Sequence, residues 1–93
     1  TSVGMILKEE FLAPLSISQG QLAKAMGVSR KTVNELCGNR RGVTAETAFL
    51  LSKVLGTTPE FWLNLQVIND LWLAKHSERL AAKLKHAHPL VAA

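Results

Sequence analysis

The chain has 93 residues, one domain's worth, with 47% apolar residues and a formal net charge of +4. That apolar content excludes a disordered chain, and no run of 18 or more apolar residues is present to cross a membrane. The single cysteine, Cys37, has no partner for an internal disulfide, which fits a reduced cytoplasmic setting. The opening TSVGMILKEE places acids close behind its apolar patch and does not read as a signal peptide.

Every segment reads as helix or turn, because no alternating β-branched run of strand length occurs. The expected fold is therefore all-α. A first helix is predicted from Met5 to Leu12, with Ile6, Leu7, Phe11 and Leu12 inward and Pro14 as its stop. Ser18 is placed to cap a second helix that runs to about Met26 and ends at Gly27. Ser29 caps a third, from about Arg30 to Cys37, followed by a loop of Gly38, Asn39 and Gly42 with Arg40 and Arg41 at its tip. Thr44 caps a fourth, with Glu46 near its positive end and Ala48, Phe49, Leu51 and Leu55 as its inner stripe up to Gly56. Thr58 followed by Pro59 starts a fifth, predicted to reach about Lys75. Ser77 caps a short sixth from about Glu78 to His86, with Leu80 and Leu84 on one face. Nothing divides the chain further: residues 1–76 read as one helical domain and residues 77–93 as a helical extension or tail.

The second and third helices form a helix-turn-helix. Ala23 lies where the two helices approach most closely, and Gly27 lies in the turn, where a positive φ is expected. Leu22 and Met26 face inward from one helix; Val28, Val33 and Leu36 face inward from the turn and the other. If Val33 and Leu36 point in, then Arg30, Lys31, Asn34 and Glu35 point outward or sideways, with Thr32 beside them. A helix of this kind enters the major groove of DNA. Arg bonds guanine O6 and N7 bidentately, and Asn does the same with adenine N6 and N7. Arg30 and Lys31 also fit a purely phosphate-binding role. Glu35 fits two roles, acceptor for cytosine N4 or partner of Lys31 one turn earlier.

Charge agrees with this placement. Residues 24–53 hold six basic residues against Glu35 and Glu46, as phosphate binding requires. Ser18, Gln19 and the free N–H groups at the start of the second helix form a candidate anion site. Ser29, Asn39, Arg40 and Arg41 complete the candidate DNA-binding set.

The runs LKEEFLAPLSIS, QLAKAMGVSRKTVNEL and RRGVTAETAFLLSKVLGTTPEFWLNLQ resemble the HigA-type antitoxins of bacterial toxin–antitoxin modules. These belong to the λ-repressor-like, or XRE-type, helix-turn-helix superfamily. The resemblance covers Gly4 to Lys75, and Thr57 to Gln66 is its most diagnostic stretch. It implies a five-helix λ-repressor-like domain that works as a homodimer on a palindromic operator in its own promoter. It also implies a partner, a small RelE-like ribonuclease toxin of the HigB type. By position, Arg30, Lys31, Thr32 and Asn34 take the place of the family's recognition residues, and Arg40 and Arg41 that of its basic loop. One position departs: the family often has glycine directly before the basic pair, and here Asn39 stands there, preceded by Gly38.

The fifth helix is apolar on more than one face. Phe61, Leu65, Ile68 and Trp72 fall on one stripe, while Trp62, Leu63, Val67, Leu71 and Leu73 lie off it. A small domain does not bury both, so Phe61, Trp62, Leu65, Ile68 and Trp72 are the expected two-fold dimer interface. No enzyme constellation is present. His86 and His88 lack further ligands for a metal, and Gly38 to Gly42 lacks the strand and lysine of a phosphate loop. No cofactor or membrane partner is expected.

Overall fold

The computed structural model describes residues 2–91. Among them are six α-helices and one π-helical stretch: α1 (Val3–Ile6), the π turn Leu7–Leu12, α2 (Gln19–Met26), α3 (Arg30–Cys37), α4 (Ala45–Leu55), α5 (Pro59–Lys75) and α6 (Glu78–His86).

The first helix departs most from expectation. It begins at Val3, where the Ser2 hydroxyl accepts from the Met5 N–H at 3.1 Å, and it widens to a π-helix at Leu7. Five residues along an α-helix turn a side chain by about 140° from its starting direction. Leu7 and Leu12 are five apart and both buried, and the wider π turn lets both face the core. The register is visible in the Ala13 N–H bond to the Lys8 carbonyl, 2.9 Å long.

The remaining boundaries follow local chemistry. Ser18 and Gln21 form a reciprocal capping box on α2. Ser29, Thr44, Thr58 and Ser77 each accept from a backbone N–H three residues on, at the starts of α3, α4, α5 and α6. Gly27 ends α2 at φ +74° and Gly56 ends α4 at φ +72°, the left-handed conformation that costs glycine least.

The core joins these pieces. Leu22, Ala23 and Met26 of α2 pack with Val33, Leu36 and Cys37 of α3, together with Leu7, Leu12, Ala48 and Leu51. On α4 the inner stripe is Ala48, Leu51 and the small Ser52, with Leu55 half-buried. Phe49, expected inside, is 65% exposed. It follows Ala48 by one residue and so points off the buried stripe.

Trp62 also corrects the sequence reading. Assigned to the dimer interface, it is fully buried and is the largest side chain of the monomer's own core. Its indole Nε1–H donates to Thr57 Oγ1 at 2.6 Å, and its ring lies 5.3 Å from Phe11 and 5.0 Å from Phe61. The π turn brings Phe11 there, also 6.2 Å from Phe61 in an edge-to-face arrangement.

Past Trp62 the packing thins. Val67, Ile68, Leu71, Trp72 and Leu73 are all exposed, and α6 has no buried residue. The molecule measures 50 × 22 × 22 Å, with a radius of gyration of 16.4 Å. A compact chain of this length has a radius near ~12 Å. The difference reflects the far end of α5 and α6 projecting from the helical core.

The two tryptophans should therefore respond differently to truncation. Trp62→Ala should cost about 3–5 kcal/mol in chemical denaturation of the monomer. Trp72→Ala should change monomer stability by about 0.5 kcal/mol or less.

Candidate nucleic-acid interface

Burial of Val33 and Leu36 turns one side of α3 outward. Arg30, Lys31 and Asn34 are exposed there, Thr32 and Glu35 half-exposed. Arg30 and Lys31 have no side-chain partner among the described residues, which leaves both cations free for a ligand.

Asn34 is not free. Its Nδ2 donates to Gln19 Oε1 at 3.1 Å, and its Oδ1 accepts from the Arg40 guanidinium. Gln19 is the first residue of α2 and Arg40 lies in the loop after α3. Three residues assigned separately to DNA thus form one hydrogen-bonded row across the outer face. The row fixes the Asn34 amide and draws Arg40 in beside the recognition helix, away from the loop tip.

In the free protein Glu35 does not take Lys31 as its partner. It pairs with Arg41, whose Nε and Nη2 lie 3.2 and 2.9 Å from Glu35 Oε1. The expected Lys31 partner contributes only longer-range attraction. The Arg41 hydrogen bond, reinforced by the nearby positive charges, holds the Glu35 carboxyl below its ordinary value. The pair is partly solvated, so its contribution to stability is small.

Ser18 and Ser29 cap the backbone, and the Thr32 hydroxyl bonds one of these caps. Ser18 Oγ accepts from the Gln21 N–H at 3.0 Å, and the Ser18 N–H donates to Gln21 Oε1 at 2.8 Å. The proposed anion site at the start of α2 is left with the N–H groups of Gln19 and Gly20. Ser29 Oγ accepts from the Thr32 N–H at 3.1 Å and bonds Thr32 Oγ1 at 2.9 Å.

Asn39 sits at φ +57°, and its side chain turns back to α1 instead of outward. Sequence reasoning missed its partners, Ser2 and Gly4, and also Gln66. Gln66 Oε1 accepts from the Val43 N–H at 3.0 Å and so fixes the loop's exit to α5. These contacts span 23 to 37 residues of sequence, and no local pattern announces them. Cys37, the last residue of α3, is buried on the helix's inner side, and burial pushes its thiol up. A buried, protonated thiol is a packing group and not a nucleophile.

The expected interface set on α5 divides. Phe61 belongs to the aromatic cluster around Trp62, and Leu65 is half-buried against the core. Ile68 and Trp72 are 64% and 58% exposed, and with Ser2, Met5 and Asn69 they line an open groove of 290 Å³.

Comparison with known proteins gives this geometry its context. A helix-turn-helix family profile matches residues 7–62. Antitoxin HigA-1 of Vibrio cholerae is 49% identical over 82 residues, 88% of this chain and 77% of that protein. The chain belongs to the helix-turn-helix family, in its HigA-type branch. An uncharacterised helix-turn-helix transcriptional regulator of Haemophilus influenzae is 47% identical over 89 residues, 96% of this chain and 83% of that one. Among solved structures, antitoxin GraA in complex with its operator superposes with a TM-score of 0.88 at 42% identity, over 99% of this chain and 92% of that chain. The family is one of DNA-binding regulators and antitoxins, not of enzymes. No helix among the described residues is long and apolar enough to cross a membrane.

The Glu35–Arg41 pair can be read directly in solution. Because the folded-state value of Glu35 is depressed, the pair persists at neutral pH and is lost as pH falls through that lowered value. NMR titration of the Glu35 carboxyl should give a midpoint below the ordinary glutamate value in the wild type, rising back toward it in Arg41→Ala.

Proposed function

We propose that this HigA-type chain binds a palindromic operator in the promoter of its own operon as a homodimer, represses transcription there, and neutralises a HigB-like, RelE-type ribonuclease toxin. The observation that carries the DNA-binding half is the outer face of α3. Arg30 and Lys31 stand unpartnered beside the Gln19–Asn34–Arg40 row, on a chain 49% identical to an antitoxin. In this reading the row and Arg30 meet base edges in the major groove. Lys31, Arg41 and the N–H groups at the start of α2 meet phosphates and set the register. Residues 1–76 carry this activity, residues 77–93 are a helical extension or tail, and the work is done in the cytoplasm.

The dimer is inferred from the far half of α5. Ile68, Trp72 and their neighbours form an apolar surface that the monomer leaves uncovered, and a palindromic site calls for a two-fold protein. Leu65 and Phe61 border this surface; Trp62 supports it from inside the monomer. Ile68→Asp should shift the protein to monomer in sedimentation analysis and lower operator affinity, with the helical circular-dichroism signal unchanged. A dimer that survives Ile68→Asp would move the interface elsewhere.

A second reading, a stand-alone repressor without a toxin, is favoured by the likeness to the Haemophilus influenzae regulator. Co-expression with the adjacent reading frame separates the two. The antitoxin reading expects growth arrest by the neighbour alone, rescue by this chain and co-purification of the pair. Promoter binding without arrest or rescue supports the plain repressor.

A further inference from the structure

Asn39 occupies the position before the basic pair with its backbone in the left-handed region, at φ +57°. Glycine meets that backbone demand at lower cost, so the asparagine side chain must be judged by what it binds. Its Oδ1 accepts from the Gly4 N–H at 3.0 Å, and its Nδ2 donates to Ser2 Oγ at 2.9 Å. The same Ser2 hydroxyl accepts from the Met5 N–H at 3.1 Å. One side chain thus satisfies an otherwise unpaired N–H in the first turn of α1 and grips the residue that caps it.

The fit at this junction is close. A Cβ on Gly4 would lie 2.3 Å from the Cys37 carbonyl oxygen and 2.9 Å from Asn39 Oδ1. The first turn of α1 therefore rests directly on the end of the recognition helix. On the other side of Asn39, the Arg40 N–H bonds the Glu35 carbonyl at 2.8 Å, the Arg40 side chain bonds Asn34, and the Arg41 side chain bonds Glu35. The loop is held in front by α3 and behind by α1, and Asn39 is the rear attachment.

We propose that Asn39 is a positioning residue for DNA binding, whose side-chain amide ties the basic loop to the first turn of α1 and so sets where Arg40 and Arg41 stand against α3. The proposal rests on the reading that α3 and this loop bind DNA. It differs from a phosphate contact by Asn39, because both ends of the amide are engaged inside the protein. It differs from a simple cap, because the consequence falls on two arginines to which α1 makes no hydrogen bond among the described residues.

Asn39→Gly tests this, since glycine keeps the backbone conformation and removes only the tether. The probes are a duplex covering the promoter upstream of the chain's own gene and a random duplex of equal length, titrated at several salt concentrations. With Arg40 and Arg41 no longer held in place, promoter affinity should fall about 10-fold, the order of one lost charged contact. The slope of log affinity against log salt should shrink by about 1, the share of one phosphate contact. Ser2→Ala, which removes one of the two bonds, should fall between Asn39→Gly and wild type. In the Asn39→Gly background, Arg40→Ala should cost less affinity than it does in the wild type. If Asn39→Gly lowers only the thermal midpoint, with promoter affinity and salt slope unchanged, Asn39 is merely a helix cap and the proposal fails. Wild-type protein that does not prefer the promoter duplex would overturn the DNA-binding reading itself, and this proposal with it.

Discussion

The contact between α2 and α3 governs the rest of this molecule. Ala23 is 3% exposed, and its carbonyl accepts from the Val28 N–H at 3.0 Å across the turn. A longer side chain there would separate two helices that are joined by three residues and share one core. With Leu22 and Met26 on one side and Val33 and Leu36 on the other, rotation of α3 about its axis is fixed. That rotation decides which residues face solvent, and so every proposed contact with DNA descends from packing on the opposite side of the helix.

Much of this was legible because it is written in short-range chemistry. Serine or threonine caps, glycine stops and the apolar spacing of α2 to α5 act over three or four residues, and the helices fall where those signals put them. The π turn was not legible. No local signal separates it from an ordinary helix; its reasons are tertiary, the burial of both Leu7 and Leu12 and the contact of Phe11 with Phe61 and Trp62 near the start of α5. Trp62 was misread for a related reason. Helix periodicity says that a residue lies off one stripe, but not whether the other face meets the core or a partner.

The proposed binding face was legible residue by residue but not as a unit. The sequence offers Gln19, Asn34 and Arg40 as separate members of the DNA-binding set, whereas their hydrogen bonds make them one group. Pairing of this kind stiffens long side chains before a ligand arrives, which lowers the entropy lost on binding. Glu35 does the same for Arg41. Arg30 and Lys31 stay unpaired, so the face combines two held arginines with two free cations. Loop contacts through Asn39 and Gln66 lie outside any motif because they link segments far apart in sequence.

The central claim is that the outer face of α3, with the row and loop beside it, is the surface that meets operator DNA. Amide and side-chain NMR shifts recorded on adding a promoter duplex test it most directly. The account predicts that the large changes fall on Gln19, Arg30, Lys31, Asn34, Arg40 and Arg41, with the Asn34 side-chain amide among the largest. Changes centred instead on the outer face of α4, around Glu46, Phe49 and Lys53, with α3 unmoved, would contradict it.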